Sequence, residues 1–207
     1  MANLIKKGYQ EMNMLPKYLK KSIKEMTYLA KGSRGIIYTG IYKNKKVAIK
    51  TKSPESEAIG RLKNESEFLK LLNKHNIGPT LLNSGKEYII YEFVEGEFLP
   101  EFLIKEKDKK KKKKILINIL KQARKLDKLR INKLEFTRPL KHVLIKYPKV
   151  KILDFERCYY TESPKNVTQF CQFLINRKLM KKEIKILQQY KENQTEKNFK
   201  EIIKKIN

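Results

Sequence analysis

The sequence has 207 residues and a formal charge of +27, from 49 Lys and Arg against 22 Asp and Glu. This length suits one domain or a small two-lobed one and excludes a long array of domains. Because 40% of the residues are apolar, the chain can bury a core, so the charge does not indicate wholesale disorder. A basic surface attracts nucleic acid or phosphorylated ligands, unless the excess of lysine only keeps the surface solvated.

The N-terminus and the cysteines indicate the compartment. Residues 1–10 lack the apolar segment of a signal peptide, and no apolar run of the sequence is long enough to cross a membrane. Cys158 and Cys171 are too few for a disulfide scaffold or a zinc site, and both are expected to be small core residues. We therefore expect a cytoplasmic protein with no membrane partner.

The first predicted elements are rich in β-strand. Residues 1–26 alternate Lys with Leu, Met and Tyr, and Pro16 interrupts any single helix, so they predict a short amphipathic preamble. From residue 27, β-branched and aromatic runs separated by glycines and by a turn at 43–45 predict three antiparallel strands. Apolar spacing predicts a helix over 57–73, and residues 87–94 predict a further strand.

The next segment, 105–114, contains eight lysines, six of them consecutive. Consecutive like charges repel one another, so this segment predicts a solvated loop or a frayed helix start. Beyond it the pattern predicts an amphipathic helix over 115–129 and a loop around Pro139 over 132–144. A buried strand is predicted over 150–155, and two or three amphipathic helices over 166–205. The order predicts an α+β fold with a β-rich N-terminal lobe, 27–96, and a reduced helical C-terminal lobe, 97–207.

A glycine-containing hairpin and a lysine that follows it carry the first chemical signal. Residues 29–38 read LAKGSRGIIY, in which Gly32 and Gly35 allow the backbone to close over phosphates. Lys50 ends the strand VAIK fifteen residues after Gly35, and a point charge on a flexible stem suits phosphate binding. Glu65 lies one turn before the apolar pair 68–69, so it is expected to face the sheet, whereas Glu67 is expected to be solvated.

These motifs resemble those of protein kinases. LAKGSRGIIY is similar to the kinase glycine-rich loop, with Ala30 at the first glycine position and Ser33 between Gly32 and Gly35, and VAIK matches the kinase strand letter for letter. The resemblance implies an ATP site in which Ala30, Gly32, Ser33 and Gly35 cover the phosphates. It also implies that Lys50 neutralises the phosphates and that Glu65 orients Lys50.

Two further segments extend the resemblance. Residues 88–96, YIIYEFVEG, are similar to the strand and hinge that receive adenine, which implies that Tyr91 borders the pocket and that the backbone of Glu92 and Val94 supplies hydrogen bonds. Residues 152–156, ILDFE, resemble the D-F-G segment with Glu in place of Gly. The resemblance implies that Asp154 holds Mg²⁺ against the phosphates.

The catalytic loop differs most from protein kinases, because the H-R-D-L-x-x-x-N pattern is absent. Strict spacing places Thr137 at the catalytic Asp and His142 at the metal-binding Asn, whereas two extra loop residues place Glu135 at the Asp. We prefer the second alignment, because a carboxylate can accept the substrate proton and His142 can bind metal or phosphate. Arg138 and Lys141 are expected to contact the phosphates; a basic surface loop is the alternative.

The string from Glu135 to His142, together with DFER at 154–157, is similar to a compact archaeal group of predicted serine/threonine protein kinases related to the RIO kinases and to the small kinase of the KEOPS assembly. The resemblance covers about residues 27–175. It implies an ATP- and Mg²⁺-dependent Ser/Thr kinase with a protein substrate. A nucleotide-binding pseudokinase or ATPase switch remains the alternative, and the basic surface suggests RNA or a ribonucleoprotein as a further partner.

Overall fold

The computed structural model describes residues 15–32, 35–53 and 60–207. The chain divides into two compact units, one up to Val94 and one over Glu95–Asn207. Among the helices in the described ranges, none is long and apolar enough to cross a membrane.

The N-terminal unit is built on an antiparallel sheet. Its elements are α1 (Lys17–Ser22), β1 (Ile23–Lys31), β2 (Gly35–Tyr42), β3 (Lys45–Lys52), α2 (Arg61–Asn73), β4 (Leu81–Ser84) and β5 (Tyr88–Glu92). The strand order is β1-β2-β3-β5-β4. The three predicted consecutive antiparallel strands are confirmed, as is the strand within 87–94.

The β2–β3 hairpin shows how local sequence sets the register of this sheet. Lys43 and Asn44 form the turn with φ of 49° and 58°, the left-handed conformation that a two-residue hairpin turn requires and that Asn tolerates well. Tyr42 therefore pairs with Lys45, and Val47 and Ile49 fall on one face of the sheet. That face carries the hydrophobic core of the unit, so Ala48 and Lys50 belong to the opposite face.

The predicted preamble, 1–26, requires a correction. Residues 1–14 lie outside the described part. In the rest of the segment, Pro16 lies directly before α1, and β1 begins at Ile23. Leu15, Leu19 and Ile23 are buried in the core of the sheet. Apolar burial thus makes residues 15–26 part of the N-terminal unit.

The C-terminal unit begins with short strands and continues mainly in helices. Its elements are β6 (Glu97–Phe98), α3 (Leu99–Lys105), α4 (Lys109–Lys128), β7 (Ile131–Lys133), a 3-10 helix (Leu134–Thr137), β8 (Val143–Lys146), β9 (Lys149–Ile152), β10 (Cys158–Tyr160), α5 (Asn166–Asn176), α6 (Ile184–Glu192) and α7 (Glu196–Lys204). Strands β6, β8 and β9 form one antiparallel sheet, and β7 pairs with β10. The predicted α+β class is confirmed.

Of the two alternatives predicted for 105–114, the solvated loop is wrong for most of the segment, and Lys109–Lys114 form a helix start. Only residues 106–108 connect α3 to α4, and all six consecutive lysines lie in the first two turns of α4. The Asp108 side chain caps this helix by accepting hydrogen bonds from the amides of Lys110 (2.7 Å) and Lys111 (3.3 Å). Lysine is a good helix former, and burial of Ile115, Ile119 and the apolar face beyond them anchors the helix.

Helix α4 packs against α5, β7 and β9 and carries the core of this unit. The C-terminal helices number three within the described ranges, in agreement with the prediction for 166–205. Cys158 and Cys171 are both buried and form no disulfide with each other, as expected of small core residues.

Candidate functional site

The glycine-rich hairpin joins β1 to β2. Ala30 pairs with Ile37 across the two strands, and the amide of Gly32 donates to the carbonyl of Gly35 at 2.8 Å. Ser33 lies outside the described residues. A Cβ on Gly35 would lie 2.8 Å from the carbonyl oxygen of Thr51. The close approach of β3 therefore requires glycine at this position, independently of any ligand.

Lys50 and Glu65 form a buried ion pair in the N-terminal unit. The Lys50 Nζ donates to the Glu65 Oε2 at 2.7 Å, and the side chains are only 11% and 3% exposed. Glu67, on the same helix, is exposed. The predicted contact between Lys50 and Glu65, and the predicted solvation of Glu67, are confirmed. The pairing leaves the ammonium fixed at the sheet face that carries Ala48.

The predicted hinge lies at the end of β5. Tyr91 pairs with Ala48 and with Leu81 in the sheet and is half-buried. The amide of Glu92 donates to the carbonyl of Thr80 at 2.9 Å, and its carboxylate accepts from the Thr80 hydroxyl at 2.9 Å. The Glu92 amide is thus already used within the sheet. Val94 follows in an irregular, half-buried stretch.

Asp154 lies in the C-terminal unit just beyond β9, with a left-handed φ of 63°. The amide of Leu153 donates to the carbonyl of His142 at 2.8 Å, which brings the loop before β8 beside Asp154. The His142 Nδ1 is 3.5 Å from the Asp154 Oδ2. A carboxylate oxygen of Glu156, which is buried, lies within 4.8 Å of one from Asp154.

These donors fit a hard dication. Mg²⁺ prefers oxygen ligands and needs only one or two carboxylates, since it retains several waters. Asp154 and Glu156 meet that requirement, so donor chemistry favours Glu156 as the second ligand over the expected imidazole of His142. The carboxylate that replaces the glycine of D-F-G could be read from the sequence, but its approach to Asp154 could not.

Glu135, the expected base, lies in the 3-10 helix with its side chain 8% exposed. Its carboxylate contacts the Lys133 Nζ at 2.9 Å and the Arg157 Nε at 3.9 Å. Thr137, the competitor for the base position, is exposed, and its hydroxyl donates to the Leu134 carbonyl at 3.4 Å.

Lys133 was not identified from the sequence. It is 1% exposed, and its Nζ donates both to Glu135 and to the main-chain carbonyl of Asp154. The same ammonium lies 5.2 Å from the centroid of the Phe155 ring. Lys133 thus ties the Glu135 loop to the Asp154 segment within the C-terminal unit. In so lysine-rich a chain, nothing in the sequence distinguishes this lysine from the others.

A buried network of hydrogen bonds holds the backbone of β7, which leads into the Glu135 loop. The Asn166 side chain accepts from the Lys133 amide (2.8 Å) and donates to the Ile131 carbonyl (2.6 Å). Asp127 accepts from the amide and the side chain of Asn166 and from the hydroxyl of Tyr190. Burial raises the pKa of Asp127, although these hydrogen bonds oppose the rise. The sequence did offer a signal for Asp127: it is a carboxylate on the apolar face of α4, two helical turns after Leu120.

The remaining two expected phosphate contacts, Arg138 and Lys141, lie on the loop between the 3-10 helix and β8, and both side chains are exposed. The Arg138 amide donates to the Glu135 carbonyl at 3.0 Å. Among the expected residues, the N-terminal unit brings Lys50 and Glu65 together, and the C-terminal unit brings Asp154 and His142 together.

Comparison with known proteins gives one family. The model of the protein tyrosine and serine/threonine kinase family matches residues 23–169. No curated protein sequence matches the chain. The matched range begins with β1 and ends in the first turns of α5.

Proposed function

Because the chain belongs to the protein tyrosine and serine/threonine kinase family, we propose that it is an ATP- and Mg²⁺-dependent phosphotransferase. It transfers the γ-phosphate of ATP to a hydroxyl group of a protein, and it is a minimal serine/threonine kinase of the RIO-like type. The observation that carries the proposal is the buried 2.7 Å pair between Lys50 and Glu65, in which the lysine belongs to the strand VAIK.

In this proposal Lys50 binds the α- and β-phosphates. Its ammonium is held by Glu65 in a single position, so little conformational entropy is lost when phosphate binds. Ala30, Gly32, Ser33 and Gly35 form the loop over the phosphates. Tyr91 borders the adenine, and with the Glu92 amide already bonded to Thr80, the hinge contact falls chiefly to Val94.

Asp154 and Glu156 hold Mg²⁺, and His142 orients the Asp154 carboxylate or contacts phosphate. The metal ion supplies neutralisation of the phosphate charge that develops during transfer. The expected cations on the loop, Arg138 and Lys141, add hydrogen-bond donors for the same charge.

Transfer forms a bond between the substrate oxygen and the γ-phosphorus and breaks the bond between that phosphorus and the β,γ-bridging oxygen, so ADP leaves. The hydroxyl proton passes to Glu135 or, through the product phosphate, to solvent. The contacts of Glu135 with Lys133 and Arg157 hold its carboxylate in one position, which suits a residue that orients the substrate hydroxyl.

The same contacts favour one alternative, an ATP-binding pseudokinase or ATPase switch. The Glu135 carboxylate is already engaged by Lys133 and Arg157, and Thr137 cannot act as a base. In that case the residues of the phosphate site bind nucleotide, and no phosphate reaches a protein hydroxyl.

The test uses the full chain with radiolabelled ATP, Mg²⁺ and casein as an acidic acceptor, followed by phosphoamino acid analysis. Lys50→Met and Asp154→Asn are expected to lower transfer by about 100-fold or more. Lys45→Met, an exposed lysine of the same strand, is the matched control and retains activity. Glu65→Gln and Glu67→Gln form a second matched pair on α2, in which only the first variant loses activity.

The outcomes separate the candidates. Phosphoserine or phosphothreonine on casein that depends on Lys50 supports the kinase. ATP binding with phosphate release but no protein transfer supports the switch. If the wild-type chain neither binds ATP nor turns it over, both are refuted. Loss of transfer in Glu135→Gln but not in Thr137→Ala assigns the orienting role to Glu135.

A further inference from the structure

The exposed side of α4 is a basic groove that the phosphate site does not use. The groove has a volume of about 560 Å³ and is lined by Lys110, Lys113, Lys114, Ile117, Asn118, Lys121, Gln122 and Lys125. Of these lining residues, all within the described part of the chain, none carries a carboxylate. Five of the eight are lysines, which makes the groove a concentrated positive surface.

The lysines of this α4 groove form a line. They recur at helical spacing from Lys110 to Lys125, which covers about 22 Å at the rise of an α-helix. A polyanion lying along the helix can therefore contact several of them at once. Helical order also holds the charges at fixed intervals, which the solvated loop predicted from sequence would not do.

An exposed aromatic ring borders the line. Tyr147, in the turn between β8 and β9, is 44% exposed. The Nζ atoms of Lys111 and Lys114 each lie 5.6 Å from its ring centroid, and Lys114 also lines the groove. An aromatic ring beside a positive groove is the arrangement that binds single-stranded nucleic acid, because the ring stacks on an unpaired base while the groove follows the backbone.

Other polyanions fit this surface less well. Carboxylate clusters of acidic proteins are best matched by the bidentate guanidinium of Arg, whereas every cationic side chain that lines the groove is a Lys. A membrane-binding helix needs an exposed apolar face, whereas the apolar residues of α4 are buried in the core, with Ile117 half-buried. Phosphodiesters, which accept point charges at intervals, are the better complement.

We propose that the α4 groove and Tyr147 form a binding surface for single-stranded nucleic acid. The lysines contact successive phosphates and Tyr147 stacks on a base. This activity is independent of phosphate transfer from ATP.

The test measures binding of a fluorescent 20-nucleotide RNA to the full chain over a range of salt. About five phosphate contacts predict a slope of log K against log salt of about −3.5, so affinity falls about a hundredfold between 50 and 200 mM salt. The groove variant replaces five lysines with Gln, which has similar helix propensity: Lys110→Gln, Lys113→Gln, Lys114→Gln, Lys121→Gln and Lys125→Gln. It is expected to bind more than tenfold more weakly and with a shallower slope.

The matched control removes five exposed lysines that do not line the groove: Lys181→Gln, Lys182→Gln, Lys185→Gln, Lys191→Gln and Lys200→Gln. This control has the same net charge as the groove variant and is expected to bind within about threefold of the wild type. Replacing the five groove lysines with Arg keeps the charge and retains binding. Tyr147→Ala is expected to lose about five- to a hundredfold, whereas Tyr147→Phe retains affinity.

Equal losses in the groove variant and the charge-matched control overturn the proposal, because they would mean that net charge alone drives binding. Double-stranded RNA bound as tightly as the single strand also overturns it, as does equal binding of anionic vesicles or poly-glutamate. Single-stranded DNA of the same length shows whether the protein recognises the 2′-hydroxyl. Binding of the RNA alone and binding of both strands each support the proposal, because both ligands are single-stranded nucleic acids. Circular dichroism of each variant establishes that α4 is retained, and the Arg variant keeps the test valid if the Gln variant unfolds.

Discussion

Replacement of Lys133 by Met tests the link between the Glu135 loop and the Asp154 segment. The side chain is buried, and its ammonium donates to the Glu135 carboxylate and to the Asp154 carbonyl. Met has a similar length and can pack against the Phe155 ring, but it donates no hydrogen bond. The variant therefore leaves a nearly buried carboxylate with Arg157 as its remaining charged contact in the described structure.

The expected loss is large because the charge left behind is buried. Removing one partner of a buried ion pair costs about 3–5 kcal/mol, against a typical total of about 5–15 kcal/mol for a folded domain. For a chain of this size, the melting temperature is expected to fall by about 6–20 °C. The carbonyl of Asp154 also loses a donor, so the Asp154 segment is expected to lose order first.

A double-mutant cycle isolates the interaction. Urea unfolding followed by circular dichroism is measured for Lys133→Met, Glu135→Leu and the two combined. The combined variant is expected to recover about 2 kcal/mol or more of the summed losses, because no buried charge remains unpaired. A loss below about 1 kcal/mol for Lys133→Met, or losses that add without recovery, would refute the reasoning.

Two further predictions concern one glycine and one buried acid. Gly35→Ala is expected to lower the free energy of unfolding by about 1–3 kcal/mol, since its Cβ would lie 2.8 Å from the Thr51 carbonyl; Gly32→Ala, whose nearest neighbour is 3.7 Å away, is the control, and equal urea midpoints would contradict the expectation. Because burial raises the pKa of Asp127, its contribution to stability is complete below the unfolded pKa of about 3.9 and is lost as pH rises through the folded pKa. The stability of the wild type relative to Asp127→Asn should therefore fall as pH rises above about 4 in urea titrations, and a relative stability that rises with pH would show that the hydrogen bonds outweigh burial.

The N-terminal unit was largely predictable because its signals are local. Alternation of apolar residues, the turn at Lys43 and Asn44 and the strand VAIK each depend on a few neighbouring residues. The choice of Glu65 over Glu67 followed from helical periodicity alone, and the buried contact with Lys50 confirms it. Residues 15–26 were misjudged, because the burial of Leu15, Leu19 and Ile23 against the sheet depends on strands that follow them in the chain.

The C-terminal site was only partly predictable, because its contacts join segments distant in sequence. Glu135 was identified as a candidate, but its contact with Arg157 and the dual role of Lys133 required the fold. The same holds for Asp127, which is a helix residue in sequence and the centre of a network with Asn166 in three dimensions.

The sequence by itself determined the α+β order, the kinase-like motifs and the total charge, since these depend on residue type and short spacing. Tertiary structure alone decided where that charge lies. Repulsion among consecutive lysines predicted a loop or a frayed helix start. The Asp108 cap and the burial of Ile115 and Ile119 stabilise a helix from Lys109 onward despite that repulsion. That balance arranges the lysines along the α4 groove, and it depends on a core that no local window of the sequence contains.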